Sequence, residues 1–169
     1  MHLGNTVQAY GLISRLLHWV MAVLIVGLFA LGLYMMSLDY TNPWSTTAPM
    51  LHLGFGVLTA ILLIIRLAWR LLNTRPDITG KLWQRHTALW VHRAFYILIA
   101  TIVLSGYLIT TADGKALSVF GWFTIPATVH GYPNQEDIAG LVHEISSYIC
   151  IVLVVIHSLA AIKHYLFDN

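Results

Sequence analysis

Residues 142–159, VHEISSYICIVLVVIHSL, set His143 and His157 fourteen positions apart on an apolar run with no charged side chain from Ile145 onward. At about 100° and 1.5 Å per residue of α-helix, fourteen residues bring a side chain back to nearly the same face about 21 Å further along the axis. The run itself reads as a membrane span, because about 20 apolar residues cross a hydrocarbon core of about 30 Å. Ionisable side chains in such a span are costly and mark functional positions. One helix therefore carries two functional levels at two depths.

Three other runs have the same character, so the expected spans are residues 12–36, 50–72, 88–112 and 139–162. Their charge-free stretches extend from Leu16 to Leu38, Met50 to Ile65, Ala94 to Ala112 and Ile145 to Ile162. The chain has 169 residues, 58% hydrophobic and only 9% charged, against roughly 25% charged in a soluble domain, which excludes a water-soluble monomer. The expected fold is an all-α membrane protein, a four-helix up-down bundle occupying residues 1–169 as one transmembrane domain. The first run exceeds the 7–15 apolar residues of a signal-peptide core and contains His18 and Trp19, so it reads as an uncleaved helix. Turn chemistry separates the spans at Asn42-Pro43, Asp113-Gly114 and Tyr132-Pro133-Asn134.

Orientation follows from the basic residues, which short loops retain on the cytoplasmic side. Arg15, Arg66, Arg70, Arg75, Lys81, Arg85, Arg93 and Lys163 gather at one end of the bundle, and Lys115 alone lies at the other. Both termini are thus expected to be cytoplasmic. Asp39, Asp113, Glu136, Asp137 and Glu144 make the outer face acidic, and tryptophans at both ends suit interfacial belts. A net charge of +2, arranged by sidedness, excludes nucleic acid as a partner and leaves lipid.

Five histidines fall in spans: His18, His52, His92, His143 and His157. The fourteen-residue interval recurs on every helix, pairing His18 with Gly32, His52 with Arg66, and His92 with Gly106. On antiparallel helices these sort into two depths. His18, His92, His157 and Arg66 lie at the inner level, and His52, His143, Gly32 and Gly106 at the outer one. Paired imidazoles suit axial ligation of haem iron, glycines let a flat macrocycle approach the backbone, and an arginine can neutralise a propionate. The single cysteine, Cys150, excludes a Cys-x-x-Cys-His attachment, so any haem must be held without a thioether bond.

Each residue also has a plainer reading. A transmembrane histidine can simply hydrogen-bond a neighbouring helix, Gly32, Gly106, Gly54 and Gly56 can be packing glycines, and Arg66 can snorkel to headgroups. The inner level offers three histidines for two axial positions, which makes His92 the candidate for a supporting role. His2, His86, His130 and His164 suit solvated surface. FGWFTIP, residues 120–126, reads as an interfacial loop or the wall of a quinone pocket.

SRLLHW (14–19), HLGFG (52–56) with Arg66 and Arg70, HRAFYILIATIVLSGYLI (92–109), FGWFTIP, and the closing VHEISSYICIVLVVIHSLAAIKHYLFDN together resemble the prokaryotic cytochrome b561 family over nearly the whole chain. The resemblance implies a di-haem four-helix membrane protein related to the b-type subunits of nickel-iron hydrogenases and formate dehydrogenases. It implies that His18 and His157 ligate the inner haem b, and His52 and His143 the outer one. It also implies electron transfer to or from ubiquinone, with superoxide oxidised on the periplasmic face in one well-known member. Five outer carboxylates against one lysine depart from the cationic funnel that would steer superoxide.

The expected function is therefore transmembrane electron transfer through two bis-histidine haem b groups, between an outer donor and membrane ubiquinone, in a quinone-linked oxidoreductase. The alternative is a haem anchor subunit that passes electrons to or from a dehydrogenase partner through the basic 66–93 segment; the partners expected besides lipid and quinone are such a dehydrogenase or further copies of the chain in a homo-oligomer. A proton or metal-ion transporter would need carboxylates deep in the spans, and Glu144 at the outer edge is the nearest.

Overall fold

The structure is a computed structural model that describes residues 2–77 and 81–167. Four helices account for most of it: α1 (Leu12–Met36), α2 (Trp44–Leu72), α3 (Leu82–Thr110) and α4 (Gln135–Phe167), each long and apolar enough to cross a membrane. α1 has the expected bounds, whereas the others are longer. α2 starts six residues before Met50, where Asn42 Oδ1 accepts the Trp44 N–H, and it accommodates Pro49 in its second turn. α3 starts at Leu82, with the Lys81 N–H held by Gln84 Oε1, and it ends two residues short of Ala112 where Thr111–Gly114 turns. At 33 residues α4 spans about 50 Å, so it extends beyond the hydrocarbon core at its ends.

Successive helices run antiparallel, since the early part of α1 meets the late part of α2 (His18 with Arg66) and the late part of α3 meets the early part of α4 (Gly106 with His143). α3 packs most extensively on α4 and α1 on α2, while α1 meets α4 only over a short stretch. The outward faces are apolar and exposed, as at Val23, Ile64, Ile97 and Leu104, which suits contact with acyl chains. Inside, Met21, Ile99 and Cys150 form the buried cluster, with Ile25, Leu62 and Phe95 packed on it. Ile25, Thr59, Ile99 and Cys150 each stand seven residues, half the recurring interval, from the two levels of their helix. Thr59 turns its hydroxyl to the Phe55 carbonyl (2.8 Å), so this midplane layer offers no unpaired hydroxyl.

A β-hairpin forms where the sequence suggested an interfacial loop. β1 (Leu117–Val119) pairs antiparallel with β2 (Phe123–Ile125), and Trp122 N–H donates to the Val119 carbonyl across the turn. Phe120 and Gly121, the first two residues of the three-residue connection 120–122, both have positive φ (52° and 74°). Positive φ is costly for phenylalanine. The Phe120 ring offsets that cost by packing on α2, edge-on to Phe55 with centroids 5.3 Å apart. It lies so close to Gly54 that a Cβ there would overlap it. This makes Gly54 a seat for the hairpin tip.

At the opposite end the chain before α1 is tied down by a polar network. Asn5 Oδ1 accepts from Gly11 N–H (3.0 Å) and Ser14 Oγ (2.6 Å), Asn5 Nδ2 donates to the Thr74 carbonyl, and Trp69 Nε1 donates to Ser14 Oγ (2.9 Å).

Candidate functional site

At the hairpin end, His52 of α2 and His143 of α4 face each other with ring centroids 6.1 Å apart and planes at 64°. Two metal–imidazole bonds of about 2 Å, plus about 1.1 Å from each nitrogen to its ring centre, give about 6.2 Å for two rings sharing one metal on opposite sides. The observed pair therefore already has the spacing of two axial ligands. A cavity of about 710 Å³ is lined by Gly32, His52, Ile99, Gly106, His143 and Cys150 among other, largely apolar residues. That volume lies within the range of cofactor sites. Leu117 and Ile125 of the hairpin line its end.

The two glycines of this level stand behind the two histidines. A Cβ on Gly32 would sit 3.4 Å from Cε1 of His52, and one on Gly106 would sit 3.2 Å from Cε1 of His143. Both positions thus keep side-chain bulk away from the imidazole edges. The Nδ1 environments differ. His143 Nδ1 lies 2.9 Å from the Ile102 carbonyl, which can only accept, so Nδ1 carries the proton and Nε2 keeps its lone pair. Ser105 Oγ lies 3.3 Å from the same nitrogen. His52 Nδ1 is buried and has no hydrogen-bond partner among the described residues.

At the basic end, His157 of α4 lies between two other histidines. His18 of α1 is 6.3 Å away by centroid and His92 of α3 is 5.9 Å away, with planes at 78° and 66°. Phe95 packs edge-on to His157 at 5.6 Å. Arg66 points inward from α2, with Nη2 3.1 Å from His18 Nδ1 and Nη1 3.8 Å from Met21 Sδ. A guanidinium only donates, so His18 Nδ1 is the acceptor here and its proton sits on Nε2. That is the opposite tautomer to the one His143 holds. Further out, Arg70 stacks on Tyr96 and Arg93 on Trp90.

The fold thus brings together His52, His143, Gly32 and Gly106 at one level, and His18, His92, His157 and Arg66 at the other. Among the described residues no three His, Cys, Asp or Glu side chains are arranged to hold a metal ion. The paired rings suit a group that brings its own equatorial ligands and needs two axial ones. Gly56 lines the cavity without a close neighbour for a Cβ.

A family model described as prokaryotic cytochrome b561 matches residues 9–169. The chain belongs to the prokaryotic cytochrome b561 family. It is also 42% identical to cytochrome b561 homolog 2 of Escherichia coli (strain K12), over all of this chain and 91% of that protein. Membership in the cytochrome b561 family, with four spanning helices, makes it a multi-pass protein of the bacterial inner membrane that binds haem b and serves electron transfer.

Sequence reasoning missed the Ile102 carbonyl, Ser105 and the Phe120–Gly54 seat. Ser105 had a signal, because it precedes Gly106 on a helix already assigned to this level. The carbonyl had none.

Proposed function

We propose that the chain holds two haem b groups, one between His52 and His143 and one between His18 and His157, and passes single electrons across the membrane between a donor at the hairpin end and quinone. The observation that carries this reading is the repetition on α4. His143 and His157, about 21 Å apart along one helix, each face another histidine at 6.1 Å and 6.3 Å, close to the spacing of a shared axial metal.

Haem held by these histidines would supply a one-electron centre suited to outer-sphere transfer rather than dioxygen activation. The residues do the rest. His143, held by Ile102, presents Nε2 in the ligating tautomer. The apolar cavity walls exclude water, and the Ile25, Thr59, Ile99, Cys150 layer separates the two levels with apolar or internally bonded groups. Packing favours His18 over His92 as the partner of His157, because α3 is pressed against α4 whereas α1 leaves α4 room for a flat macrocycle. His92 then supports the site. Arg66 supplies positive charge at the basic-end level, and it must release His18 Nδ1 for that ring to present Nε2 to a metal.

The charge of the hairpin end counts against superoxide as donor. Lys115, its one lysine or arginine, is paired with Asp113, whose carboxyl this pairing holds below the usual range. Hydrogen bonds from Thr41 hold the Asp39 carboxyl low as well, so both acids stay ionised at neutral pH. Orientation, with both termini cytoplasmic, rests on the eight basic residues at the other end.

The test is the optical spectrum of the purified protein before and after quinol addition. Rapid haem reduction by quinol alone supports a quinone-linked oxidoreductase. Intact haem without a quinol response points instead to an anchor subunit that exchanges electrons with a dehydrogenase.

A further inference from the structure

Residues 2–11 pass over the basic end as a strap. The Leu12 and Ile13 N–H groups, at the start of α1, donate to the His2 and Leu3 carbonyls, and the Asp77 N–H beyond α2 donates to the Val7 carbonyl. The strap folds back at Gly11, where a Cβ would overlap the Gly4 carbonyl. Asn5 is its hub. Asn5 Nδ2 donates to the Thr74 carbonyl (2.9 Å), which only accepts, and Oδ1 takes the Gly11 N–H (3.0 Å), which only donates, so the amide has one orientation. The Ser14 hydroxyl must then give its single proton to Asn5 Oδ1 (2.6 Å), and its lone pair receives Trp69 Nε1–H (2.9 Å).

This relay crosses from α1 to α2 one turn away from a second crossing. Ser14 lies four residues before His18 on α1, and Trp69 lies three residues after Arg66 on α2, spacings that share a helix face. The Ser14–Trp69 bond and the His18–Arg66 contact (3.1 Å) are therefore neighbouring rungs of one seam, and two rungs a turn apart fix both the sliding and the rotation of α1 on α2. A fully partnered polar network specifies one arrangement. A serine that loses its partner turns instead to the carbonyl one turn earlier in its own helix.

We propose that Asn5 is a positioning residue for the basic-end level: acting through Ser14 and Trp69, it sets the register of α1 on α2 and so keeps Arg66 beside His18. This rests on the haem assignment above and on the positive charge that Arg66 brings to that level, which would favour a reduced iron.

The test is a redox titration of protein whose haem is counted by pyridine haemochrome. Arg66→Gln should lower one of two midpoints. Asn5→Ala and Trp69→Phe should lower the same midpoint by a smaller amount and leave the other unmoved. The Asn5→Ala/Arg66→Gln double variant should fall no further than Arg66→Gln alone, because no cation is left to misplace. Trp69→Phe keeps an aromatic ring and loses only the donor, so it reads the relay even if Asn5→Ala does not fold. Parent midpoints in a two-haem Asn5→Ala or Trp69→Phe protein, or a double variant whose fall is the sum of the two single ones, overturns the proposal and leaves the strap a stabilising role alone. Parent midpoints in Arg66→Gln overturn the charge role of Arg66 and this proposal with it, and a parent count below two haems overturns the assignment beneath both.

Discussion

The two levels of the bundle use the same residue type in different surroundings. At the hairpin end two histidines face each other alone, with glycine behind each, beside an apolar cavity. At the basic end three histidines crowd together, a phenylalanine ring packs on the central one, and a guanidinium reaches in from α2. Axial chemistry alone would make the two centres alike, so what separates them is second-layer charge and hydrogen bonding. A nearby cation would stabilise a reduced, less positive iron, and the basic end has Arg66 within its histidine cluster, while among the described residues no lysine or arginine stands at the hairpin-end level. A haem held at the basic end is therefore expected to have the higher potential, so that electrons entering at the hairpin end would run toward it.

The sharpest way to break the comparison is at the crowded level. His157→Ala removes the ring that faces both His18 and His92, and one haem per chain should be lost, whereas His92→Ala should keep both. Pyridine haemochrome counts on the two variants decide this, and a lost haem in His92→Ala would transfer the ligand role from α1 to α3. Next in size is the hairpin seat. Gly54→Ala drives a methyl into the Phe120 ring and should cost about 1–3 kcal/mol, as overpacking does. Thermal denaturation should show the loss, with recovery in the Gly54→Ala/Phe120→Ala double variant. No recovery would mean that Gly54 matters for something other than the hairpin tip.

A smaller effect tests the electrostatic half of the comparison. Arg66→Gln removes the cation from the basic-end level and should lower the higher of the two midpoints by on the order of tens of millivolts, leaving the lower one nearly unmoved. Both midpoints unchanged in a redox titration would return Arg66 to a purely structural role. Smallest of all is the acidic rim. Because the folded Asp113 carboxyl is held below its unfolded value, its contribution is present at neutral pH and is lost only as pH falls through the folded pKa, in the acid range. Asp113→Asn should thus leave the melting temperature at pH 7 essentially unchanged, since the pair is exposed. It frees Lys115, and reduction by an anionic donor should become modestly faster at low salt.

Much of this was legible in the sequence because membrane helices are regular. The interval from His143 to His157, repeated at His18–Gly32, His52–Arg66 and His92–Gly106, places residues by arithmetic, and all eight stand at the two levels that the arithmetic assigns. Helix ends were less legible. Hydropathy tracks the lipid-facing core, while the first turns of α2 and α3 are set by local hydrogen bonds, from Trp44 N–H to Asn42 and from Lys81 N–H to Gln84. The hairpin was hidden because its strands are three residues each and its three-residue turn begins with Phe120-Gly121, without the Asn-Gly pair that announces a tight hairpin. Its cause lies in α2, where Gly54 leaves space for an aromatic ring. The hold on His143 was invisible for another reason: every residue has a carbonyl, and only the packing of α3 on α4 selects that of Ile102.

Two separable bis-histidine centres are the core of the account, and the haem count of the His52→Ala/His143→Ala double variant tests them most directly. The account predicts one haem per chain, low-spin, with the midpoint of the higher-potential centre of the parent protein. Two haems retained, or none, would contradict it: the first would place the ligands elsewhere, and the second would mean that the two levels do not hold haem independently.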